Sequence, residues 1–382
     1  MGAEIIYFNN SATTLKKPDA VYDAFVNASK TLSNMGRGAS TLAIQTSRAV
    51  FGARENVAGL LGAPNPLRVG FTKNATEALN AGICGLLRAG DHVVSTVCDH
   101  NSVLRPLFRL EKEQGVEVTL IPCDSLGEID PQDFRKALKP NTKMIVMTHV
   151  SNVTGNIFDV AAVAAIAKEC GALFFVDASQ SAGVVDIDVQ KDMIDLLAFT
   201  AHKYLFGPQG VGGLYVREGI TLRPLMLGGG AGNSLDLHPN PDMPEALEAG
   251  TVNMPGIVAL GRAVEFIREN REAIQRKEAE LTGYFLTRLR EIPGIKMLGR
   301  QEGDKRVALF PLVCREYSIE DIAAYLEERY GVVVRTGFQC APMIHSCLGS
   351  GKTGVLRVSL SYFNEKSEID VFMEGLKAFF HK

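Results

Sequence analysis

The fold of this protein is indicated most clearly by the sequence LLAFTAHK at residues 196–203, which is followed by GPQGVGG at residues 207–213. The apolar run at its start is typical of a strand that is covered on both faces of a sheet. Lys203 stands where this strand ends and a glycine-rich loop begins. An amine at such a position suits Schiff-base chemistry, because neighbouring polar groups and partial burial lower the pKa of a lysine. Taken alone, Lys203 is more simply a surface lysine on a loop.

Similar strands extend this pattern in both directions. The predicted strands are Arg68–Thr72, His92–Cys98, Glu117–Pro122, Met144–Val150, Leu173–Asp177, Leu196–Thr200 and Gly213–Val216. Between them, amphipathic patterns predict helices at Ala75–Leu87, Ser102–Gln114 and Val160–Cys170. Alternation of strands and helices favours a mostly parallel sheet with helices on both faces.

The pattern changes after this region. Residues 228–250 carry three successive glycines and several prolines, which predict a loop. A long helical pattern then runs from about Ile257 to Glu291. The following predicted elements are strand Val307–Leu312, helix Ile319–Arg329, strands Val332–Arg335 and Val355–Ser359, and helix Glu365–Phe380. We therefore expect a large domain of residues 15–258, and a smaller α+β domain formed by residues 1–14 and 259–382.

Composition limits the classes of function. The chain has 382 residues, of which 46% are hydrophobic and 22% charged, as in ordinary folded proteins. A net charge of -3 argues against binding of nucleic acid or a membrane through bulk positive charge. Neither a transmembrane segment nor a signal peptide is expected. The seven cysteines have no CxxC spacing, which favours a reducing cytoplasm and predicts neither a disulfide framework nor a metal site.

Polar clusters follow three other predicted strands. Asp177 ends one strand, where it suits a partner of a pyridinium nitrogen or, more simply, a helix cap. The segment FTKNATEA at residues 71–78 joins a strand to a helix N-terminus, which can bind a phosphate or carry an ordinary cap. His100 could stack on an aromatic ring or cap a helix. The carboxyl ends of parallel strands form one ligand-binding edge, so these clusters are expected to lie close together.

The four clusters together resemble those of fold-type I enzymes that use pyridoxal 5'-phosphate (PLP), specifically the class V aminotransferase superfamily. Within it, the chain is most similar to the cysteine desulfurase and selenocysteine lyase branch. The further segments that carry this resemblance are YFNNSAT at residues 7–13, HVSNVTG at 149–155, EAGTVN at 248–253 and RTGFQCAP at 335–342. The resemblance covers nearly the whole chain. It implies an α/β fold with a large domain built on a mostly parallel seven-stranded sheet, plus a smaller α+β domain.

The resemblance also implies a role for each matching residue. Lys203 would bind PLP covalently, Asp177 would pair with the ring nitrogen and Gln180 would donate to the phenolic oxygen. His100 would stack on the ring and is a candidate for proton relay. The residues that would hold the phosphate are Ala75, Thr76, Thr200 and His202, with Gly250 and Thr251 reaching the phosphate of a neighbouring subunit. A homodimer is therefore implied.

The reaction is implied by Cys340, which is surrounded by glycines and prolines and is expected on an exposed loop. A thiolate there is a soft nucleophile that suits attack on sulfur. By resemblance, L-cysteine would become L-alanine, and a persulfide on Cys340 would pass to a sulfur-acceptor protein. The residues that would bind the substrate are Asn152, Arg335 and Arg357. L-selenocysteine is the alternative substrate, as in a selenocysteine lyase.

The chain departs from the family's pattern in the Cys340 loop, and two alternative functions remain. The loop resembles that of the group II branch, but Phe338 and Gln339 stand where that branch has two histidines. Cys347 is a possible second thiol, although a spectator is the simpler reading. Another class V PLP enzyme would keep Lys203 and Asp177 without requiring Cys340. A non-enzymatic scaffold would be expected to lose the lysine or the phosphate segment, and this chain has both.

Overall fold

The computed structural model describes residues 5–35, 40–230, 237, 238, 240, 242–301 and 305–381. The strands are β1 (Ile6–Tyr7), β2 (Val69–Thr72), β3 (His92–Thr96), β4 (Glu117–Ile121), β5 (Thr142–Thr148), β6 (Leu173–Asp177), β7 (Leu196–Thr200), β8 (Gly212–Val216), β9 (Ile295–Met297), β10 (Leu309–Cys314), β11 (Val332–Val333) and β12 (Leu356–Ser359). The helices are α1 (Asp19–Thr31), α2 (Thr41–Leu61), α3 (Ala75–Leu86), α4 (Asn101–Gln114), α5 (Pro131–Ala137), α6 (Val160–Cys170), α7 (Met254–Glu269), α8 (Arg271–Leu289), α9 (Ile319–Tyr330), α10 (Ile344–Leu348) and α11 (Lys366–Phe380).

Seven strands form a central sheet in the order β2-β8-β7-β6-β5-β3-β4. Only β8 runs against its neighbours, so the prediction of a mostly parallel seven-stranded sheet is confirmed. Successive side chains of a strand point to opposite faces. Accordingly, Phe174 and Val176 of β6 pack into one apolar core cluster and Phe175 into another. Helices cover both faces, which explains the nearly continuous apolar runs in the sequence.

A smaller unit is built from the two ends of the chain. Strands β12, β10 and β9 form an antiparallel sheet, and β1 pairs in parallel with β11. Phe285 stacks on Phe310 with ring centroids 4.0 Å apart, and both lie in an apolar cluster of their own. Helix α7 instead contributes Ile257 and Leu260 to the core of the large sheet. The domain boundary near residue 258 stays a prediction.

Most predicted elements lie within two residues of their observed bounds, but the prediction of one helix from Ile257 to Glu291 is wrong. The chain forms α7 and α8, which meet at Asn270. The backbone N–H of Asn270 donates to the carbonyl oxygen of Phe266 at 3.0 Å, and its side-chain amide donates to the same oxygen at 2.8 Å. This double contact ends α7 and lets a second helix start at once.

Other differences concern elements without a strong sequence pattern. The strand predicted at Val307–Leu312 begins at Leu309, and the strand predicted at Val332–Arg335 is limited to Val332–Val333. Helices α1 and α2 were not predicted. Of the loop predicted at residues 228–250, residues 231–236, 239 and 241 lie outside the described residues, and the rest contains no helix or strand.

The described residues contain neither a membrane-spanning helix nor a cluster of metal-ligating side chains. None of their helices is long and apolar enough to cross a membrane. They also contain no group of three or more His, Cys, Asp or Glu side chains arranged to hold a metal ion.

Candidate active site

A cavity of about 460 Å³ opens at the carboxyl edge of the central sheet. Strands β3, β5, β6 and β7 are parallel, and β2 shares their direction because β8 runs against both β2 and β7. Their carboxyl ends therefore meet at one edge. The site residues predicted from the sequence that line the cavity are Ala75, Thr76, His100, Asn152, Asp177, Gln180, Thr200, His202 and Lys203. Asn74, Leu79, Ser102, Thr148 and Ser179 complete its wall.

The side chain of Lys203 lines this cavity and is partly exposed. Burial lowers its pKa to about 8, with Asp177 acting in the opposite direction and Arg357 in the same direction. Its backbone carbonyl accepts hydrogen bonds from the N–H of Phe206 at 3.0 Å and the hydroxyl of Thr14 at 3.2 Å. A rigidly held lysine with a lowered pKa is an effective nucleophile near neutral pH.

Asp177 is a buried acidic residue that lines the same cavity as Lys203. It ends β6, where its backbone pairs with Thr148 of β5 and Ala198 of β7. Its Oδ1 atom accepts a hydrogen bond from the backbone N–H of Ser179 at 2.9 Å, and a second from the Ser179 hydroxyl. The carboxylate is therefore fixed in a buried position between two neighbouring strands.

Helix α3 presents its N-terminus to the cavity. Asn74 caps the helix by accepting a hydrogen bond from the N–H of Glu77 at 3.0 Å. Gly212 lies so close that a Cβ atom there would stand 2.6 Å from the carbonyl carbon of Asn74, which requires glycine in the sequence. The hydroxyls of Thr76 and Ser102 are 2.7 Å apart. A helix N-terminus with nearby hydroxyls favours an anion.

His100 caps α4 and is held in one orientation. Its Nδ1 atom accepts a hydrogen bond from the N–H of Ser102 at 3.0 Å, so the proton of the neutral ring is on Nε2. Burial, reinforced by the positive charge of Lys203, lowers the pKa of His100 to about 4. The ring is therefore neutral at physiological pH and can donate through Nε2.

Asp99 directly precedes His100 in the chain and was not singled out by sequence reasoning. Its carboxylate accepts hydrogen bonds from the Ser95 hydroxyl at 2.9 Å, the N–H and hydroxyl of Thr96 at 2.9 and 2.8 Å, and the N–H of Thr148 at 2.7 Å. Burial raises its pKa to about 7. The contacts join β3 to β5 beside the cavity. The only signal in the sequence was an acidic residue directly before His100.

Three polar atoms in the wall of the cavity have no hydrogen-bond partner among the described residues. They are Gln180 Oε1, Thr200 Oγ1 and His202 Nδ1, and all three are buried. A buried polar atom without a partner costs about 1–3 kcal/mol. Burial, followed by the charge of Lys203, lowers the pKa of His202 to about 4, so its ring is neutral. These atoms indicate a cavity built for a polar ligand.

Arg357 lies behind the cavity and is fully buried. Its guanidinium donates to the carbonyl oxygen of Asn152 at 2.9 Å and to Asn9 Oδ1 at 3.2 Å, while its Nε atom has no partner among the described residues. Burial and the neighbouring Arg335 lower the pKa of Arg357 to about 9. Two arginines at this end of the cavity provide an electropositive region that suits a carboxylate.

Cys340 is exposed, on a loop that faces this region. Both Gln339 (φ 53°) and Cys340 (φ 59°) have left-handed backbones, which cost about 1–3 kcal/mol each in residues other than glycine. The loop is held by Asn152, whose amide donates to the carbonyl oxygen of Gln339 at 2.6 Å. Arg335 Nη2 lies 3.5 Å from the Cys340 sulfur. A strained, well-anchored cysteine beside an arginine is typical of a functional thiol.

Phe338 and Gln339, which stand in place of the expected histidines, contact residues of the segment that carries Cys340. Gln339 donates to the carbonyl oxygens of Gly337 at 3.2 Å and Arg335 at 3.3 Å. The ring of Phe338 packs edge-on against His345, with centroids 5.2 Å apart. Their side chains therefore help to shape the segment that carries Cys340.

Gly250 and Thr251 do not reach the Lys203 cavity. Thr251 lines a second cavity of about 580 Å³, together with Lys73 and Glu248. The N–H of Gly250 donates to the carbonyl oxygen of Gly229 at 2.6 Å. A contribution of these two residues to a neighbouring subunit stays a prediction.

The model of the aminotransferase class-V family matches residues 6–372. The chain belongs to this family. Among class-V relatives, a probable cysteine desulfurase of Methanothermobacter thermautotrophicus is 35% identical over 376 residues, which cover 96% of this chain and 93% of the relative. A cysteine desulfurase of Pectobacterium atrosepticum is 31% identical and covers 98% of this chain and 93% of its own length.

Solved structures agree with this class-V assignment. The apo structure of a cysteine desulfurase from Thermococcus onnurineus superposes with a TM-score of 0.92 at 33% identity, over 98% of this chain and 94% of that one. A cysteine desulfurase of Escherichia coli, solved with an S-sulfonic acid, gives a TM-score of 0.87 at 28% identity over 99% and 95% of the two chains. The α/β fold expected from the sequence is therefore confirmed.

Proposed function

We propose that this protein is a PLP-dependent cysteine desulfurase, which converts L-cysteine to L-alanine and forms a persulfide on Cys340. One observation carries the proposal: Asn152 lines the same cavity as Lys203 and donates a 2.6 Å hydrogen bond to the carbonyl oxygen of Gln339, the residue before Cys340. An amine that binds the coenzyme and a thiol that accepts sulfur are the two groups that this reaction needs. The names of the curated and structural relatives support the same function.

The residues of the cavity fit PLP. The coenzyme has a phosphate, a phenolic oxygen, a ring nitrogen and an aldehyde, and the cavity offers a group of matching chemistry for each. Residues at the N-terminus of α3, with Thr200 and His202, would hold the phosphate, and the unpartnered atoms there would gain partners. Asp177 would pair with the ring nitrogen and Lys203 would bind the aldehyde. The side-chain amide of Gln180 donates one N–H to the carbonyl oxygen of Ser11 at 3.1 Å, and its second N–H would donate to the phenolic oxygen. When bound, PLP withdraws electrons from the Cα atom of an amino acid.

The remaining steps belong to side chains of this chain. Arg357 and Asn152 would orient the substrate carboxylate, and Arg335 stands at the same electropositive end. The Lys203 amine, with a pKa of about 8, would take the proton from the substrate Cα atom and return it to the product. His100 is neutral and would relay a proton through Nε2.

Sulfur transfer falls to Cys340. Its thiolate would attack the substrate sulfur, so that an S–S bond forms while the C–S bond to the substrate breaks. The substrate carbon would keep the electron pair of that bond and take up a proton, and the carbon product would leave as alanine. Arg335 would stabilise negative charge on the Cys340 sulfur, which lies 3.5 Å from its Nη2 atom. The exposed position of Cys340 supports delivery of the persulfide to a sulfur-acceptor protein. We further propose a homodimer in the cytoplasm.

A product assay tests this function. The holoprotein is incubated with L-cysteine and a reductant, and alanine and sulfide are measured in parallel with a second sample that receives L-selenocysteine. Equal amounts of alanine and sulfide from L-cysteine would support the proposal. Alanine from L-selenocysteine alone would replace it by a selenocysteine lyase. No alanine from either substrate would refute both, and would leave another class-V activity.

A further inference from the structure

Three of the seven cysteines lie together at one end of the sheet, outside the cavity. Thr96 at the end of β3 pairs with Ile121 at the end of β4, and the N–H of Val97 donates to the carbonyl oxygen of Ile121 at 3.0 Å. Cys98 and Cys123 each follow this paired position by two residues, so they leave the sheet side by side. The Cys123 thiol interacts with the thiols of both Cys98 and Cys347.

Cys347 reaches this position from a distant part of the sequence. It lies on α10, which follows the Cys340 loop. The next residue, Leu348, is buried in the core cluster that also contains Cys98. Gly127, four residues after Cys123, lies against Leu348, since a Cβ atom there would stand 3.4 Å from that side chain. The contact between α10 and the end of β4 is therefore a packed one.

We propose that Cys123 and Cys347 form a reversible disulfide when the protein meets a peroxide, and that this bond fastens the segment carrying Cys340 to the end of β4. The proposal does not depend on the proposed function. Cys123 and Cys347 are both partly exposed, whereas Cys98 is buried, so the peroxide reaches the first two. Hydrogen bonding with Cys98 lowers the pKa of Cys123, burial opposes this effect, and hydrogen bonding with Cys347 adds to it, so we expect Cys123 to react first.

The reaction balances with hydrogen peroxide as the oxidant. The Cys123 thiolate attacks one peroxide oxygen, the O–O bond breaks, and a sulfenic acid and hydroxide form, the latter leaving as water. The Cys347 thiol then attacks the Cys123 sulfur and loses its proton. The S–S bond forms as the hydroxyl group leaves as a second water. Two thiols are oxidised and one peroxide is reduced.

The disulfide would act on the Cys340 loop through α10. His345 of α10 contacts the carbonyl oxygen of Phe338 through Nε2 at 3.1 Å, and the Ser350 hydroxyl through Nδ1 at 2.9 Å. Phe338 lies two residues before Cys340. A bond from Cys347 to Cys123 would therefore restrict both sides of the loop.

Mass spectrometry of the full chain tests the proposal. Trypsin leaves Cys123 on residues 113–135 and Cys98 on residues 89–109, but Cys340 and Cys347 share residues 336–352. The experiment therefore uses the Cys340→Ser variant, oxidised with a small excess of hydrogen peroxide, alkylated and digested without reductant. We expect a linked pair of peptides 113–135 and 336–352 that disappears after dithiothreitol. Hydrogen exchange of residues 336–352 should slow in the oxidised sample.

Two control variants are compared in the same background. Cys347→Ser should abolish the linked pair, while Cys170→Ser, which removes another exposed cysteine, should leave it unchanged. A link between residues 89–109 and 113–135, a link between two chains, or free thiols at both positions after oxidation would each overturn the proposal. Since the Cys340→Ser protein is itself measured without the second substitution, a control variant that fails to fold does not decide the result.

Discussion

The backbone N–H of Asn101 donates a 2.8 Å hydrogen bond to the carbonyl oxygen of Cys340. Asn101 directly follows His100, which lines the Lys203 cavity. The loop with the exposed thiol is thus fastened to the first turn of α4, beside the proposed proton relay. This bond holds Cys340, whose backbone is left-handed, next to the first turn of α4.

Replacement of the thiol is expected to stop sulfur transfer. Cys340→Ala should lower alanine formation from L-cysteine by more than about 100-fold, since loss of a catalytic nucleophile has effects of at least this size. The variant should still bind PLP, because Cys340 does not line the cavity. The matched control is Cys170→Ala, another exposed cysteine, which should retain full activity. Undiminished turnover by Cys340→Ala would favour a class-V enzyme without a sulfur nucleophile.

The lowered pKa of Lys203 predicts a pH dependence of coenzyme loading. Only the neutral amine attacks an aldehyde, and with a pKa of about 8 the neutral fraction rises through that pH. The rate at which apoprotein and PLP develop a visible absorption band should therefore increase from pH 7 to 9. Lys203→Ala should give no such band. A rate that stays constant over this range would show that the amine is not buried as described.

The same shift affects stability. Because the folded pKa of Lys203 lies below its ordinary value of 10.5, the buried charge destabilises the apoprotein below pH 8. This penalty is relieved as the pH rises from about 8 toward 10.5. The free energy of unfolding of the apoprotein, compared with that of Lys203→Met by urea titration, should rise over this window only where the lysine is present.

Arg357 is expected to control substrate affinity. Arg357→Lys keeps the positive charge but loses the planar pair of donors, so KM for L-cysteine should increase about 100-fold, since hydrogen bonds to charged groups contribute about 1.5–3 kcal/mol each. Steady-state kinetics measure this change. Arg357 is also buried, so thermal unfolding must be recorded beside the kinetics. A stable variant with unchanged KM would place the substrate carboxylate elsewhere.

His100 is expected to act as a neutral ring. Its pKa of about 4 means that activity should show no inflection near pH 6.5 from this residue. His100→Gln should lower kcat by about 10²–10⁴-fold, the usual contribution of a positioned acid or base. NMR titration of the ring protons in the apoprotein checks the pKa directly. A His100 resonance that titrates near pH 6.5 would exclude the buried, neutral state.

Glu278 gives a prediction that is independent of the reaction. Burial raises its pKa from 4.5 to about 7, so between these pH values the folded chain holds a proton that the unfolded chain has lost. Folding is therefore favoured less as the pH rises through this window. Glu278→Gln keeps an oxygen that can accept the hydrogen bond from the N–H of Ala308. Its unfolding free energy should fall less between pH 5 and pH 8 than that of the parent, and an identical fall would contradict the assignment.

The sequence indicated the central sheet well because its strands are buried on both faces and therefore apolar throughout, as at Leu173–Asp177. The sequence did not predict element ends that depend on individual local contacts. The end of α7 depends on the side chain of Asn270, which has no strong sequence signature within an otherwise regular helical pattern. The strand predicted from Val307 starts later, at Leu309.

The sequence allowed prediction of those site residues that stand at or just after the ends of predicted strands. Asp177, His100 and Lys203 follow parallel strands, so one edge of the sheet collects them. The contact of Cys123 with Cys347 could not be predicted, because it joins residues more than 200 positions apart through packing of α10. The role of Asp99 beside the cavity could not be predicted either, because its four hydrogen bonds form only when β3 and β5 pair in the sheet.

We propose that Lys203 and Cys340 act on one bound coenzyme. Mass spectrometry of the holoprotein after incubation with L-cysteine, without reductant, tests it most directly. We expect one additional sulfur on Cys340 within residues 336–352 and an equal amount of alanine, with neither product in Lys203→Ala supplied with PLP. Additional sulfur on another residue, or a Cys340 persulfide formed by Lys203→Ala, would contradict it.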